Sequence, residues 1–164
     1  MVKVKPVLWV SSPYNSKALV AWTSQLTKYP DVVYASGACD QDSAALSTLK
    51  ARGNVRNVAV AVIDPTAQQV GQIEKREISA GVGTTPWVIA NVATRLLIRH
   101  ARGGAMPVGW VDTGVHPITK ANATQWLNAA KSPEQAKAFF APIADKVMSQ
   151  LRANTHPMAD AYSG

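Results

Sequence analysis

Residues 58–63 read Val-Ala-Val-Ala-Val-Ile without a polar residue, and the run stops at Asp64-Pro65-Thr66. It lacks the apolar and polar alternation of a half-exposed strand, so it predicts a strand covered on both faces, as in a parallel sheet flanked by helices. A second candidate strand, Ile-Ser-Ala-Gly-Val over residues 78–82, follows a short helical segment and ends at Gly83-Thr84-Thr85-Pro86-Trp87. Both strands thus end in polar residues that lead into a helix. In open α/β sheets the ligand crevice lies outside this carboxyl edge, which places Asp64, Thr84, Thr85 and Trp87 where a small polar molecule would be read.

The rest of the chain repeats this strand and helix unit. Strands are expected over residues 7–10 and 32–35, and a short fifth at Trp110-Val111. Helices are expected over residues 16–28, from a cap at Asp40 or Asp42 to Ala51, over 67–75, and from Pro86 to the Gly103-Gly104 stop. After a loop to Ile118, Thr119 is a candidate cap for a helix through Leu127, and Pro133 opens a last helix to about Leu151. The alternation predicts an α/β fold: a doubly wound, mostly parallel sheet flanked by helices, joined by right-handed crossovers. Phe139, Ile143, Val147 and Leu151 form an apolar stripe with Phe140 and Met148 beside it, which would dock the last helix onto its own domain. The expected organisation is a lobe over 1–130, that helix over 131–153, and a flexible tail over 154–164.

Length and composition fit this single domain. The 164 residues can bury a sizeable core, and 47% apolar with 16% charged residues is outside the range of disordered chains. The net charge of +7 comes from seventeen Lys and Arg residues scattered along the chain without interleaved aromatics, so no nucleic-acid face is expected. The single cysteine, Cys39, excludes an internal disulfide and a cysteine-based zinc cluster. The amino terminus has no secretory signal, which fits either a mature or excised segment or a chain that stays in the cytoplasm as it stands. Residues 87–100, the most apolar helix, are interrupted by Asn91, Thr94, Arg95 and Arg99, so no membrane insertion is expected.

Catalytic chemistry finds little support. His100, His116 and His156 match no metal-ligand spacing, there is no nucleophile elbow, and Cys39 has no histidine nearby. Gly81-Val82-Gly83 lacks the third glycine of a dinucleotide loop, with Pro86 in its place; close packing accounts for both glycines. Asp64, Thr84 and Lys120 follow successive strands as a phosphoacceptor, a switch hydroxyl and a sensing lysine would. The turn that would hold magnesium through carboxylates is Ser11-Ser12, however. Neither an enzyme nor a cofactor is expected.

Recognition of a neutral polyol suits the same residues better. Asp64 and Asp40 can each accept hydroxyl protons, Thr84 or Thr85 can donate or accept one, and Tyr14 or Trp87 can cover the apolar side of a sugar ring. Taken singly, each aspartate could instead cap the helix that follows it.

The order of several segments adds a resemblance. Residues 13–31 with their Tyr-Pro-Asp, Gly-Ala-Cys-Asp-Gln-Asp-Ser-Ala-Ala-Leu from Gly37, Val-Ile-Asp-Pro-Thr from Val62, residues 78–87, and Val-Asp-Thr-Gly-Val-His-Pro-Ile-Thr-Lys-Ala-Asn from Val111 together resemble the carboxyl-terminal lobe of periplasmic sugar-binding proteins of the ribose-binding type. The same ligand-sensing fold occurs in lactose-repressor-like regulators. The resemblance covers about residues 7–127. It implies sugar or polyol binding for ABC-type import, with a permease as partner and a periplasmic location. It also implies that Asp64 holds sugar hydroxyls, that Asp40, or Cys39 one position earlier, supplies a neighbouring contact, that Thr84 reaches the ligand, and that Tyr14 lies near the stacking aromatic. Such proteins have two lobes and this chain resembles the second, so a separate first lobe or a homodimer would complete the pocket. The alternative is a protein-interaction or ligand-sensing module, a regulator-type effector lobe, that dimerises through its exposed cleft edge.

Overall fold

The computed structural model describes residues 15–37, 40–52 and 58–162. In chain order these form α1 (Asn15–Lys28), β1 (Tyr34–Gly37), α2 (Asp40–Ala51), β2 (Ala59–Ile63), α3 (Ala67–Glu74), β3 (Ala80–Gly83) and α4 (Pro86–Ala101). Then follow β4 (Trp110–Val111), β5 (His116–Ile118), α5 (Ala123–Ala129), α6 (Pro133–Ser149), β6 (Thr155–His156) and a 3-10 turn at Met158–Tyr162. The strand expected over 7–10 lies outside the described residues.

The main sheet has the order β1-β2-β3-β5. Its first three strands are parallel, with Gly37 opposite Val62 and Ile63 opposite Val82. β5 runs antiparallel, with Gly83 opposite His116 and Gly81 opposite Ile118. The architecture is therefore α/β with a mostly parallel sheet and flanking helices, as the alternating pattern predicts.

Three local expectations change. β5 falls in the stretch read as a loop, and it takes the place in the main sheet expected for Trp110-Val111. Those two residues pair instead with Thr155 and His156 as a separate antiparallel ladder, so the segment read as a tail contributes a strand. Between the two ladders, Asp112 Oδ1 accepts the Gly114 N–H at 2.7 Å, which fixes the backbone locally ahead of β5. The third change concerns α5. It begins at Ala123 with Asn122 in the cap position, while Asn122 Oδ1 accepts the Thr119 N–H at 2.8 Å and its Nδ2 donates to the Pro117 carbonyl at 2.9 Å.

The core lies mainly on one side of the sheet. Val60 and Val62 of β2 are buried with Leu46 and Leu49 of α2, Val70 and Ile73 of α3, and Ile118 and Ala123. Ala59 and Ile63 point the other way and are exposed, so the strand is more thoroughly covered on one face than its apolar run predicts. Pleating explains this: alternate residues face opposite sides, and an all-apolar run does not reveal which side carries the helices. A second cluster joins α4 to α6 through Val88, Val92, Leu96, Ala144 and Val147, with Trp87, Phe140, Ile143, Met148 and Leu151 around it. The apolar stripe of α6 thus packs within the chain.

Both glycines of Gly81-Val82-Gly83 allow close packing. A Cβ at Gly81 would lie 3.1 Å from Ile73 Cδ1 and Pro65 Cγ, and one at Gly83 would lie 2.6 Å from the Trp126 ring.

α3 has only eight residues and starts with a complete capping box. Thr66 Oγ1 accepts the Gln69 N–H at 3.3 Å, and Gln69 Oε1 accepts the Thr66 N–H at 2.8 Å. A helix this short is marginal on propensity alone. Thr66→Ala is expected to cost about 1 kcal/mol, lowering the melting midpoint by roughly 2–4 °C in a thermal scan.

Candidate functional site

Asp64 and Thr84 meet because β2 and β3 are parallel neighbours that end side by side. With Ile63 opposite Val82, the next residues of the two strands lie together at the carboxyl edge, and the Asp64 N–H still donates to the Val82 carbonyl at 2.7 Å. There Asp64 turns into the left-handed region at φ 50, a conformation that aspartate tolerates better than most residues. Its carboxylate accepts the Thr84 N–H at 2.6 Å on Oδ1, and the Thr84 hydroxyl lies 2.8 Å from each carboxylate oxygen. That hydroxyl has one proton to give, so two donors occupy a group with about four acceptor positions. The side chain is exposed, and its remaining acceptor positions are available to an outside donor.

Helix capping does not account for this carboxylate. The cap of α3 is Thr66, which with Gln69 satisfies the first turn, and Asp64 takes no part. Two further polar atoms belong to the same sheet edge. Thr85 occupies the cap position of α4 in the left-handed region at φ 52, yet its side chain caps nothing. Thr85 is 2% exposed, and its buried Oγ1 makes no hydrogen bond among the described residues. His116, opposite Gly83, likewise has a buried Nε2 without a hydrogen-bond partner among them. Unsatisfied buried polar atoms are uncommon in folded proteins, so two beside one strand end mark this edge chemically.

The other candidates are distributed differently. Asp40 is the first residue of α2, and its side chain lies outside the described residues, as do Cys39 and Tyr14. Trp87 stands in the first turn of α4, half-buried in the second apolar cluster, with its ring stacked on Phe140 at 6.0 Å between centroids. The structure thus brings Asp64 and Thr84 into contact and sets the Trp87 ring against α6.

Sequence reasoning missed the support behind this edge. Trp126 of α5 lies over Gly83, and its ring meets Phe139 at 5.4 Å and Phe140 at 5.7 Å edge-on. An aromatic cluster thereby connects the end of β3 to α6. The available signal was Gly83 itself, since a glycine before a strand's polar end often marks the close approach of a large side chain.

Among the described residues no group of three or more His, Cys, Asp or Glu side chains could hold a metal ion. No described helix is long and apolar enough to cross a membrane.

No family model and no curated protein matches the sequence. Solved structures do match in fold. The substrate-binding protein of a sugar ABC transport system from Bordetella parapertussis is 15% identical with a TM-score of 0.64, the match covering 84% of this chain and 43% of that one. An arabinose-binding protein from Geobacillus stearothermophilus is 19% identical with a TM-score of 0.60, covering 67% of this chain and 41% of that one. A periplasmic solute-binding protein of an ABC transporter from Actinobacillus succinogenes, with bound D-allose, is 18% identical with a TM-score of 0.58, covering 67% and 39%. The chain thus matches about two-fifths of the length of these structures, and its fold is that of a single lobe of the periplasmic-binding-protein type.

Proposed function

We propose that this chain is a solute-binding lobe that takes a sugar or related polyol for ABC-type import and carries out no chemistry on it. The observation that carries this reading is the Asp64 carboxylate. It is held at the carboxyl edge of the sheet by Thr84, exposed, and unused by the helix that follows. A fixed carboxylate accepts charge-assisted hydrogen bonds from two hydroxyls of one ring, a geometry that suits vicinal diols. Asp40, Tyr14 and Cys39 are proposed as further ligand contacts. The likeness in fold to proteins described as binding arabinose or D-allose supports the same substrate class. A periplasmic location and a permease partner belong to this proposal. So does a second wall of the cleft, supplied by a first lobe or a second copy.

Titration calorimetry against a panel of pentoses, hexoses and polyols tests the proposal. With one wall of a cleft, saturable binding is expected near 1 mM, equivalent to about 4 kcal/mol, a scale that two charge-assisted hydrogen bonds can supply. The same panel is then applied to the chain joined to a first lobe, where affinity should rise by orders of magnitude. Absence of a saturable signal in both formats would reject sugar binding. A stable dimer in sedimentation that ignores every sugar would favour an interaction module.

A further inference from the structure

We infer that the far end of α4 carries a second binding surface, independent of the sugar site, that docks an acidic segment of a partner protein. α4 starts beside Thr84 and runs away from that edge. At ~1.5 Å per residue, Arg99 lies about 20 Å along the axis from the start of the helix. There Arg95, Arg99 and Arg102, at helical spacings of four and three, line an open groove of about 440 Å³ together with Ile98, Gly104 and Met148. Three arginines thus line the groove with the apolar side chains of Ile98 and Met148, and Arg99 and Arg102 are the two not engaged by Asp145.

The groove is built from well-defined parts. Arg95 is held by Asp145 of α6 at 2.6 Å. The helix ends in a Schellman turn: the Gly103 N–H donates to the His100 carbonyl and the Gly104 N–H to the Arg99 carbonyl, each at 2.9 Å, with Gly103 at φ 82. A Cβ at Gly104 would lie 2.6 Å from Arg99 Cγ, so the glycine makes room for the arginine stem to lie across the turn. Basic residues at a helix carboxyl end offset the helix dipole, which accounts for positive charge there. The dipole does not account for Ile98 and Met148 lining the same groove, nor for the exposure of Ile98, Met106 and Val108 on this helix end and the loop after it.

Charge complementarity selects the occupant. Arginine forks bind carboxylates in paired hydrogen bonds, and Ile98 and Met148 offer a seat for one apolar side chain between them. Nucleic acid is the poorer fit, because no aromatic side chain lines the groove to stack a base. The segment that fits has acidic residues on both sides of a leucine or a similar residue.

Fluorescence anisotropy of the full chain with a labelled Glu-Asp-Leu-Glu-Asp peptide tests the inference, beside a Lys-Ser-Leu-Lys-Ser peptide and a short single-stranded oligonucleotide. The acidic peptide is expected to bind at low salt and weaken as ionic strength rises past 0.1 M, where charges are screened beyond about 10 Å. The combined Arg99→Glu and Arg102→Glu variant should lose about tenfold or more in affinity, while Arg99→Lys with Arg102→Lys should fall between that variant and wild type because lysine lacks the fork. Lys17→Glu with Lys28→Glu, on α1, changes net charge by the same amount and should leave binding unchanged. Equal losses in the two Glu pairs, no effect of the arginine swaps, or tighter binding of the oligonucleotide would each overturn the inference. Because the variants lie far from Asp64, their sugar response should stay as in wild type.

Discussion

Asp64→Asn is expected to weaken sugar binding about tenfold while leaving the melting temperature nearly unchanged. Asparagine has the same shape and is also tolerated in the left-handed region, so the backbone at φ 50 is preserved. What changes is the charge. Hydrogen bonds to an ionised acceptor contribute roughly 1.5–3 kcal/mol, against about 1 kcal/mol for neutral pairs, and the amide also turns a donor toward either Thr84 or the ligand. Asp64→Ala should do more. Both hydroxyl acceptors disappear, so affinity is expected to drop by roughly a hundredfold, and a Cβ-bearing residue other than Asn or Asp at this φ costs about 1 kcal/mol or more of stability. Calorimetry and a thermal melt on the same preparations separate the two effects. Wild-type affinity in Asp64→Asn would show that the carboxylate is not the ligand's acceptor.

The second large effect lies behind the site. Trp126→Ala should cost roughly 3 kcal/mol, because it removes a large half-buried ring from the Phe139 and Phe140 cluster and leaves a void over β3. In a chain of this length that corresponds to a midpoint lower by roughly 6–12 °C. Gly83→Ala should cost about 1–3 kcal/mol by the opposite error, since its Cβ would lie 2.6 Å from the same ring. The informative result is the combination. With the ring gone, the added methyl has room, so the double variant should be no less stable than Trp126→Ala alone, a departure from additivity equal to most of the Gly83→Ala cost. Chemical denaturation of the four proteins measures it, and strictly additive costs would place the strain at Gly83 elsewhere than in the Trp126 contact.

How much of this was legible in advance follows from the range of the interactions involved. The run at 58–63 and the short segment at 78–82 before Gly83-Thr84-Thr85-Pro86 marked β2 and β3 because such local patterns are a property of the chain itself. Neighbouring parallel strands then made Asp64 and Thr84 edge companions. Their direct hydrogen bond, and the release of Asp64 from capping, depended on Thr66 and Gln69 closing the first turn of α3, a choice between two local partners that spacing leaves open. β5 was illegible for another reason: three residues centred on a proline have no periodicity, and their partners on β3 lie across the whole of α4 in sequence. Trp126 was missed because its partners lie on β3 and α6, and no pattern within its own helix reports a contact that distant in sequence. The pairing of Thr155 and His156 with β4 is non-local in the same way.

Pro117 has a protective role as well. β5 is the outermost strand on its side of the described sheet, and an open edge is a template for further strands. At the middle of β5 the proline has no N–H to offer, and its carbonyl is already occupied by Asn122 Nδ2. Neither half of the ladder is available there to a passing chain. Among the described residues, that edge is therefore blunted at its middle by backbone chemistry.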